Sequence, residues 1–419
     1  MRILSLMALL VAALFIVASP LVHAADPPDP RIALDSAFPA AKTGRRFAGE
    51  LILVEHVNRR GVLRLDRDGT INKYFWDLPH HFQMLPYAAI TYHGAPAELA
   101  DIPLGTHLHG SFYLGPAGDF KVEPPESGYV AGKLAAPDLR SVVSQYSRVL
   151  RFEDDFSYHQ HRGEGWKLIA LGADKTTVTM QRVKLSDGSA VQSADDGVKA
   201  TQVLRIDRGT RIWQGRAIAA LEDLAPGQIV ELNLSWATLL GSTKEDGLCR
   251  EIWIDAASRA VAAEQQRQIH IAHLKRSGLP AIILKTESIP GEGARGYVTF
   301  AFPAGIDPEL IDAFAARTLV TLWAAEPSLR GWDGPVSGTV NEVTRIENPP
   351  PGHGGVLVQM HLYEMLEGFR AGRTILLARR DWNPPPRPRE VELWPNDTRI
   401  FHVGPKPVAD RDAQPSQAK

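Results

Sequence analysis

Apolar and polar positions alternate in short runs along most of this chain. The segments 49–57 (GELILVEHV), 61–69 (GVLRLDRDG), 166–185 (WKLIALGADKTTVTMQRVKL), 338–346 (GTVNEVTRI) and 354–363 (GGVLVQMHLY) carry the period of two expected of half-buried strands. Gly, Asn and Asp fall between them. Helical spacing is confined to three places. Leu139, Val142, Val143, Tyr146, Val149 and Leu150, after Pro137-Asp138, predict a short amphipathic helix. A longer helix is predicted from about Asp255 to Ser277, with Asp255 or Ser258 as N-cap and Gly278-Leu279-Pro280 as its stop. A third, DPELIDAFAAR, starts at Asp307-Pro308.

One phrase recurs three times: LADIPLG, LEDLAPG and LEGFRAG, with Leu and Gly six positions apart in each (Leu99/Gly105, Leu221/Gly227, Leu366/Gly372). Each glycine sits where a tight turn demands positive φ. Each introduces a predicted strand, over 106–114, 228–236 and 373–378. Short strands and a repeated turn predict a mainly β protein with helical insertions, an α+β chain of tandem small antiparallel barrels. The expected boundaries are 46–135 for the first barrel, 136–248 for a connecting helix and the second, 249–335 for a helical linker with an α/β segment, and 336–404 for a third β module.

The late strand introduced by a turn of this kind resembles bacterial modules of the OB-like small-barrel type. Together with YHGAPAELADIPLGTHLHG, FEDDFSYHQHRGEGW and LEGFRAGR, the arrangement also resembles a group of exported bacterial proteins that has no assigned activity. That likeness implies a fold and a compartment, and carries no catalytic residue across.

Arg2, the apolar run Ile3–Val17, Pro20 and Val22-His23-Ala24 form a secretory signal, so residues 1–24 are expected to be removed and the protein to be periplasmic or extracellular. The apolar run is shorter than the roughly 20 residues of a spanning helix, and no later stretch is long enough. Residues 25–45 read as a linker, and the proline-rich stretches at Asn348 and Asn383 as loops. Residues 405–419 read as a disordered tail. Cys249 is the one cysteine, so no internal disulfide can form. With 46 Lys and Arg against 48 Asp and Glu, there is no polycationic surface for nucleic acid.

Histidine is the most suggestive chemistry. His107 and His109, at period two, face one side of a strand, where Zn²⁺ or Cu²⁺ would be chelated if His80, His81 or His93 converged on them. Solvent-facing imidazoles are the plainer account. His159 and His161 follow Glu153, Asp154 and Asp155, with Glu153 and Asp155 as a co-facial acidic pair on a strand; the plainer account there is a charged loop. GEGARG (291–296) matches GxGxxG, but Pro290 precedes it and YVTFAF follows, so a hairpin is expected. No GxSxG, P-loop or HExxH occurs. Three functions remain in view: a non-catalytic binding or scaffold protein whose partner is an envelope protein or glycan, a metal-binding protein, and a hydrolase using Glu153 and Asp155 with a nearby histidine.

Overall fold

The computed structural model describes residues 38–39, 42–55, 59–66, 79–116, 145–191, 200–235, 247–291, 294–325, 335–366 and 368–382. The expected signal, most of the linker, His56, positions 139–144, the stretch from Asn383 and the tail lie outside them. Tandem small barrels are what the chain builds.

In the first barrel β1 (Arg45–Glu55), β2 (Arg60–Leu65), β3 (Pro79–Tyr92), β5 (His107–Tyr113) and β6 (Arg148–Asp154) close in the order β1-β2-β3-β6-β5, with β4 (Ala95–Ala97) extending β3 as a hairpin. The β3–β6 pair is parallel. The second repeats this plan. β7 (Glu164–Leu171), β8 (Thr177–Lys184), β9 (Thr201–Arg205), β12 (Ile229–Ser235) and β13 (Leu248–Trp253) close as β7-β8-β9-β13-β12, and β9 runs parallel to β13. β10 (Arg211–Gln214) continues along β13, with β11 (Ala217–Ile218) as its hairpin partner. The third barrel has six strands, all antiparallel: β14 (Leu279–Ser288), β15 (Gly296–Pro303), β18 (His353–Leu362), β17 (Val336–Arg345), β16 (Leu319–Ala324) and β19 (Thr374–Arg379), in that order around the wall.

The repeated phrase does the same work in all three. Gly105, Gly227 and Gly372 have φ of 83°, 90° and 83°. Their N–H groups donate to the carbonyls of Leu51, Leu168 and Ile283, on the first strand of each barrel, at 2.8, 2.7 and 2.7 Å. Those three residues donate back to the carbonyls of Thr106, Gln228 and Arg373, each at 2.9 Å. In every case the first strand shifts register immediately after the locked residue. A positive-φ turn thus clamps a bulge, and the strand it introduces pairs with the first strand.

Two placements differ from the sequence reading. Val149 and Leu150 lie on β6 of the first barrel and not on a helix; adjacent and both buried, they break the period of two that the rest of the strand keeps. The module boundaries move accordingly. β6 belongs to the first barrel, β13 to the second, and β14 to β16 to the third, so the third barrel opens at Leu279 rather than 336.

Among the described residues two helices join the barrels, α1 (Asp155–His161) and α2 (Ala256–Ser277), and a third, α3 (Pro308–Asp312), lies within the third barrel between β15 and β16. α2 keeps its expected caps: Asp255 accepts from the Ser258 N–H, and Gly278 has φ 89°. Ala262, Gln266, His270, Ile271 and Leu274 form its buried stripe. β14 and β15, on either side of the GEGARG stretch, pair antiparallel as the hairpin expected there. Among the described residues no helix is long and apolar enough to cross a membrane.

Candidate functional site

β6 runs straight into α1, and the two carboxylates at that junction organise the contact between the first two barrels. Asp154 is the N-cap: its Oδ1 accepts from the Ser157 N–H at 2.9 Å. Its Oδ2 accepts from the His93 N–H at 3.0 Å and from Asn233 Nδ2 at 2.8 Å. Asn233 and Leu234, on β12 of the second barrel, lie opposite a bulge in β13 at Arg250. There their polar groups meet α1: Asn233 Oδ1 accepts from the Phe156 N–H at 2.9 Å, and the Leu234 N–H donates to Asp155 Oδ2 at 2.8 Å.

The other oxygen of Asp155 receives both histidines of the predicted pair. His107 Nδ1 donates to Asp155 Oδ1 at 2.7 Å and His109 Nε2 at 2.9 Å. His107 Nε2 faces Asp66 Oδ2 at 3.0 Å, so the imidazole bridges two carboxylates. His107 and Asp155 are buried, whereas the Asp66 side chain is 32% exposed. His109 lies flat on Tyr158, 3.7 Å between centroids.

Burial opposes charge at all three groups, and their neighbours decide the outcome. Against that burial, the charges of Asp155 and Asp66 and their hydrogen bonds raise the His107 pKa well above the ordinary imidazole value. Against the same penalty, the His107 charge and the bonds from both histidines hold Asp155 far below the usual carboxylate range. His109 goes the other way: burial lowers its pKa, the Asp155 bond opposes, and neighbouring His107 adds to the lowering. His107 is therefore an imidazolium and His109 a neutral donor.

A second knot of side chains lies beside the first. His93, in the left-handed region at φ 52°, stacks on Tyr92 and faces Glu251 of β13 through Nε2 at 3.1 Å. Trp213 Nε1 donates to the other Glu251 oxygen at 3.4 Å, and Trp253 meets the His93 ring edge-on at 4.7 Å.

The remaining predicted residues disperse. His80 is buried between Phe47 and Phe112 with Nε2 against the Tyr146 carbonyl at 3.0 Å; burial lowers its pKa to about 4. His81, its neighbour on β3, is exposed. The acidic and histidine set separates into three places. Glu153 pairs outside with His161 at 2.5 Å and Arg151 at 2.8 Å. Asp155 joins His107 and His109. His159 faces Glu164 at 3.5 Å, beside the buried Arg182. Glu153 and Asp155 are not a co-facial strand pair, because β6 ends at Asp154 and Asp155 opens a helix. Cys249 is a free, buried thiol whose pKa is pushed up by burial, which makes it inert.

Asp66, Asn233 and Glu251 are the members that sequence reading missed, and His93, named there as a possible ligand, pairs with Glu251 instead of joining His107 and His109. No spacing links them to the His107/His109 pair, and only the DRDG turn signal at 66–69 and the YHG turn at 92–94 mark their neighbourhoods. Chemically, the arrangement can do two things. It locks two barrels together through charge-assisted bonds, and it presents one atom each of His107, His109 and Asp155 within 4.8 Å of one another. Compared with known proteins, the chain matches no family model, no curated protein and no solved structure.

Proposed function

We propose that this chain is an exported, non-catalytic binding or scaffold protein of the cell envelope, built from OB-like modules, with an envelope protein or glycan as its partner. The observation that supports this is the state of Asp154 and Asp155: all four of their oxygens accept donors from the protein itself. Asp155, held far below the usual carboxylate range by the two imidazoles, is a poor proton donor and a weak base for a substrate. The OB-like reading draws support from the shared closure of the first two barrels, five strands with one parallel pair each.

Expression of the full chain in a bacterial host, followed by fractionation and N-terminal sequencing, tests export; a mature protein starting at Ala25 is expected. Cosedimentation with isolated peptidoglycan sacculi and chemical cross-linking to envelope proteins test the partner. Cytoplasmic retention overturns the compartment. Turnover of ester or glycoside substrates that is lost in Asp155→Asn overturns the non-catalytic reading.

The convergence of His107, His109 and Asp155 favours a second reading, a Zn²⁺ or Cu²⁺ site at the same joint. His80 and His81 have no part in it. Calorimetric titration of untagged residues 25–419 separates the two. Stoichiometric binding with Kd below about 1 μM, lost in His107→Ala/His109→Ala, would establish the metal. Weak heats unchanged by the substitutions would exclude it.

A further inference from the structure

α2 is seated against all three barrels. Ala262 packs with Phe156 and with Trp253 of the second. Gln266 Nε2 donates to the Pro96 carbonyl and to Asp101 Oδ2 of the first, each at 3.3 Å. Ile271 and Leu274 enter the core of the third, and Arg267 Nε donates to Asp307 Oδ2 there at 2.6 Å.

His270, one turn on from Gln266, lies in the same buried stripe and is 3% exposed. Neither of its ring nitrogens is open to solvent or has a hydrogen-bond partner among the described residues. A neutral imidazole carries one donor and one acceptor, so both are unmet here, which native interiors rarely allow. An apolar side chain would fill the place without that cost. The charged and titratable groups that face it come from three elements: Glu98 and Asp101 from the turn after β4, Asp307 from the start of α3, and His273 from α2 itself. Asp101 and Asp307 are engaged by Gln266 and Arg267, and none of the four is bonded to His270. Burial lowers the pKa of the ring below the ordinary imidazole value; Glu98, Asp101 and Asp307 oppose this, and His273 adds to it.

We propose that His270 is an acid-sensitive latch: a second proton taken up by its ring releases α2 from its seat on the first and third barrels. The proton enters from solvent when α2 lifts locally, and the imidazolium that forms cannot return to a slot that offers it no acceptor. The sign follows from the lowered folded value. The seating of α2 is complete above the ordinary imidazole value of 6.5 and weakens as pH falls below it. The latch goes beyond the scaffold reading, because it concerns how the barrels are held together whatever partner they bind.

The test is hydrogen exchange of residues 25–419 at pH 7.5 and pH 5, corrected for the intrinsic pH dependence of exchange and read over 256–277, in the parent and in His270→Leu, which suits an apolar slot. On acidification the protection of α2 should fall at least about threefold more in the parent than in the variant, and at most about thirtyfold more, the ceiling set by an open-state value of 6.5. Glu98→Gln, which takes away a charge that favours the imidazolium in place, should deepen the fall. Nitrogen resonances of ¹⁵N-labelled histidine should show the His270 ring titrating below 6.5 in the folded protein. An equal fall in the parent and in His270→Leu, or a His270 ring that titrates at or above 6.5, would overturn the assignment.

Discussion

Replacing Asp155 by leucine removes the acceptor on which the first two barrels converge. The carboxylate takes three donors, at 2.7, 2.9 and 2.8 Å, from two residues of the first barrel and one backbone N–H of the second. Without it the His107 imidazolium keeps only the part-exposed Asp66, and the Leu234 N–H is left at a bulge with no ladder partner to return to. Removing one member of a buried ion pair costs about 3–5 kcal/mol. Removing both charges should cost less, so His107→Leu/Asp155→Leu is expected to recover about 2 kcal/mol of what Asp155→Leu loses. The assay is urea unfolding of residues 25–419, with hydrogen exchange across 229–235 as a local readout, because a three-barrel protein need not unfold in one step. The pH dependence has a fixed sign. The folded pKa of His107 is raised, so its contribution is complete below the unfolded value of 6.5 and is lost as pH rises through the folded value. The folded pKa of Asp155 is depressed, so its contribution is present above 3.8 and is lost as pH falls below that. A cost under about 1 kcal/mol for Asp155→Leu, with unchanged exchange at Leu234, would refute the account of the joint, as would a double variant no more stable than the single one.

Other substitutions test other parts of the frame. His80 is neutral in the folded protein with its pKa lowered from 6.5 to about 4, so its share of stability is present above pH 6.5 and falls by about 3 kcal/mol on going down to pH 4; unfolding curves of His80→Phe should show a correspondingly flatter acid limb. Glu231 is fully buried with neither oxygen hydrogen-bonded among the described residues, and burial raises its pKa well above 4.5, so stability declines as pH rises from there. The stability gap between Glu231→Gln and the parent should therefore widen in favour of the variant from pH 5 to pH 8, and parallel profiles would contradict this. Gly278 closes α2 at φ 89° and ψ 147°, a region open essentially to glycine alone, and a Cβ there would lie 2.9 Å from Trp323. Gly278→Ala should cost at least about 2 kcal/mol by thermal unfolding, against about 1 kcal/mol for Gly215→Ala, where φ is 60° and nothing lies within 4 Å.

What the sequence could announce depended on whether the physics was local. The turn glycines were legible because positive φ leaves a residue-level mark, and the three reciprocal clamps on Leu51, Leu168 and Ile283 explain why the phrase recurs with fixed spacing. The caps of α2 were legible for the same reason. The strand β6 was not, since adjacent Val149 and Leu150 are both buried and break the alternation that identifies a strand, and VLRF then fits a helix as well. The module boundaries failed with it, because the closing strand of each of the first two barrels follows a long intervening segment and abuts the next module. The joint shows the same division. Period two places His107 and His109 on one side of β5, but the carboxylate they share, Asp155, is 48 and 46 residues away and becomes their partner only when β6 turns into α1 against β12. A carboxylate that opens a helix and one that ends a strand look alike in FEDDF; what separates Glu153, which faces solvent with His161, from Asp155, which locks two barrels, is the one-residue position at which the strand stops.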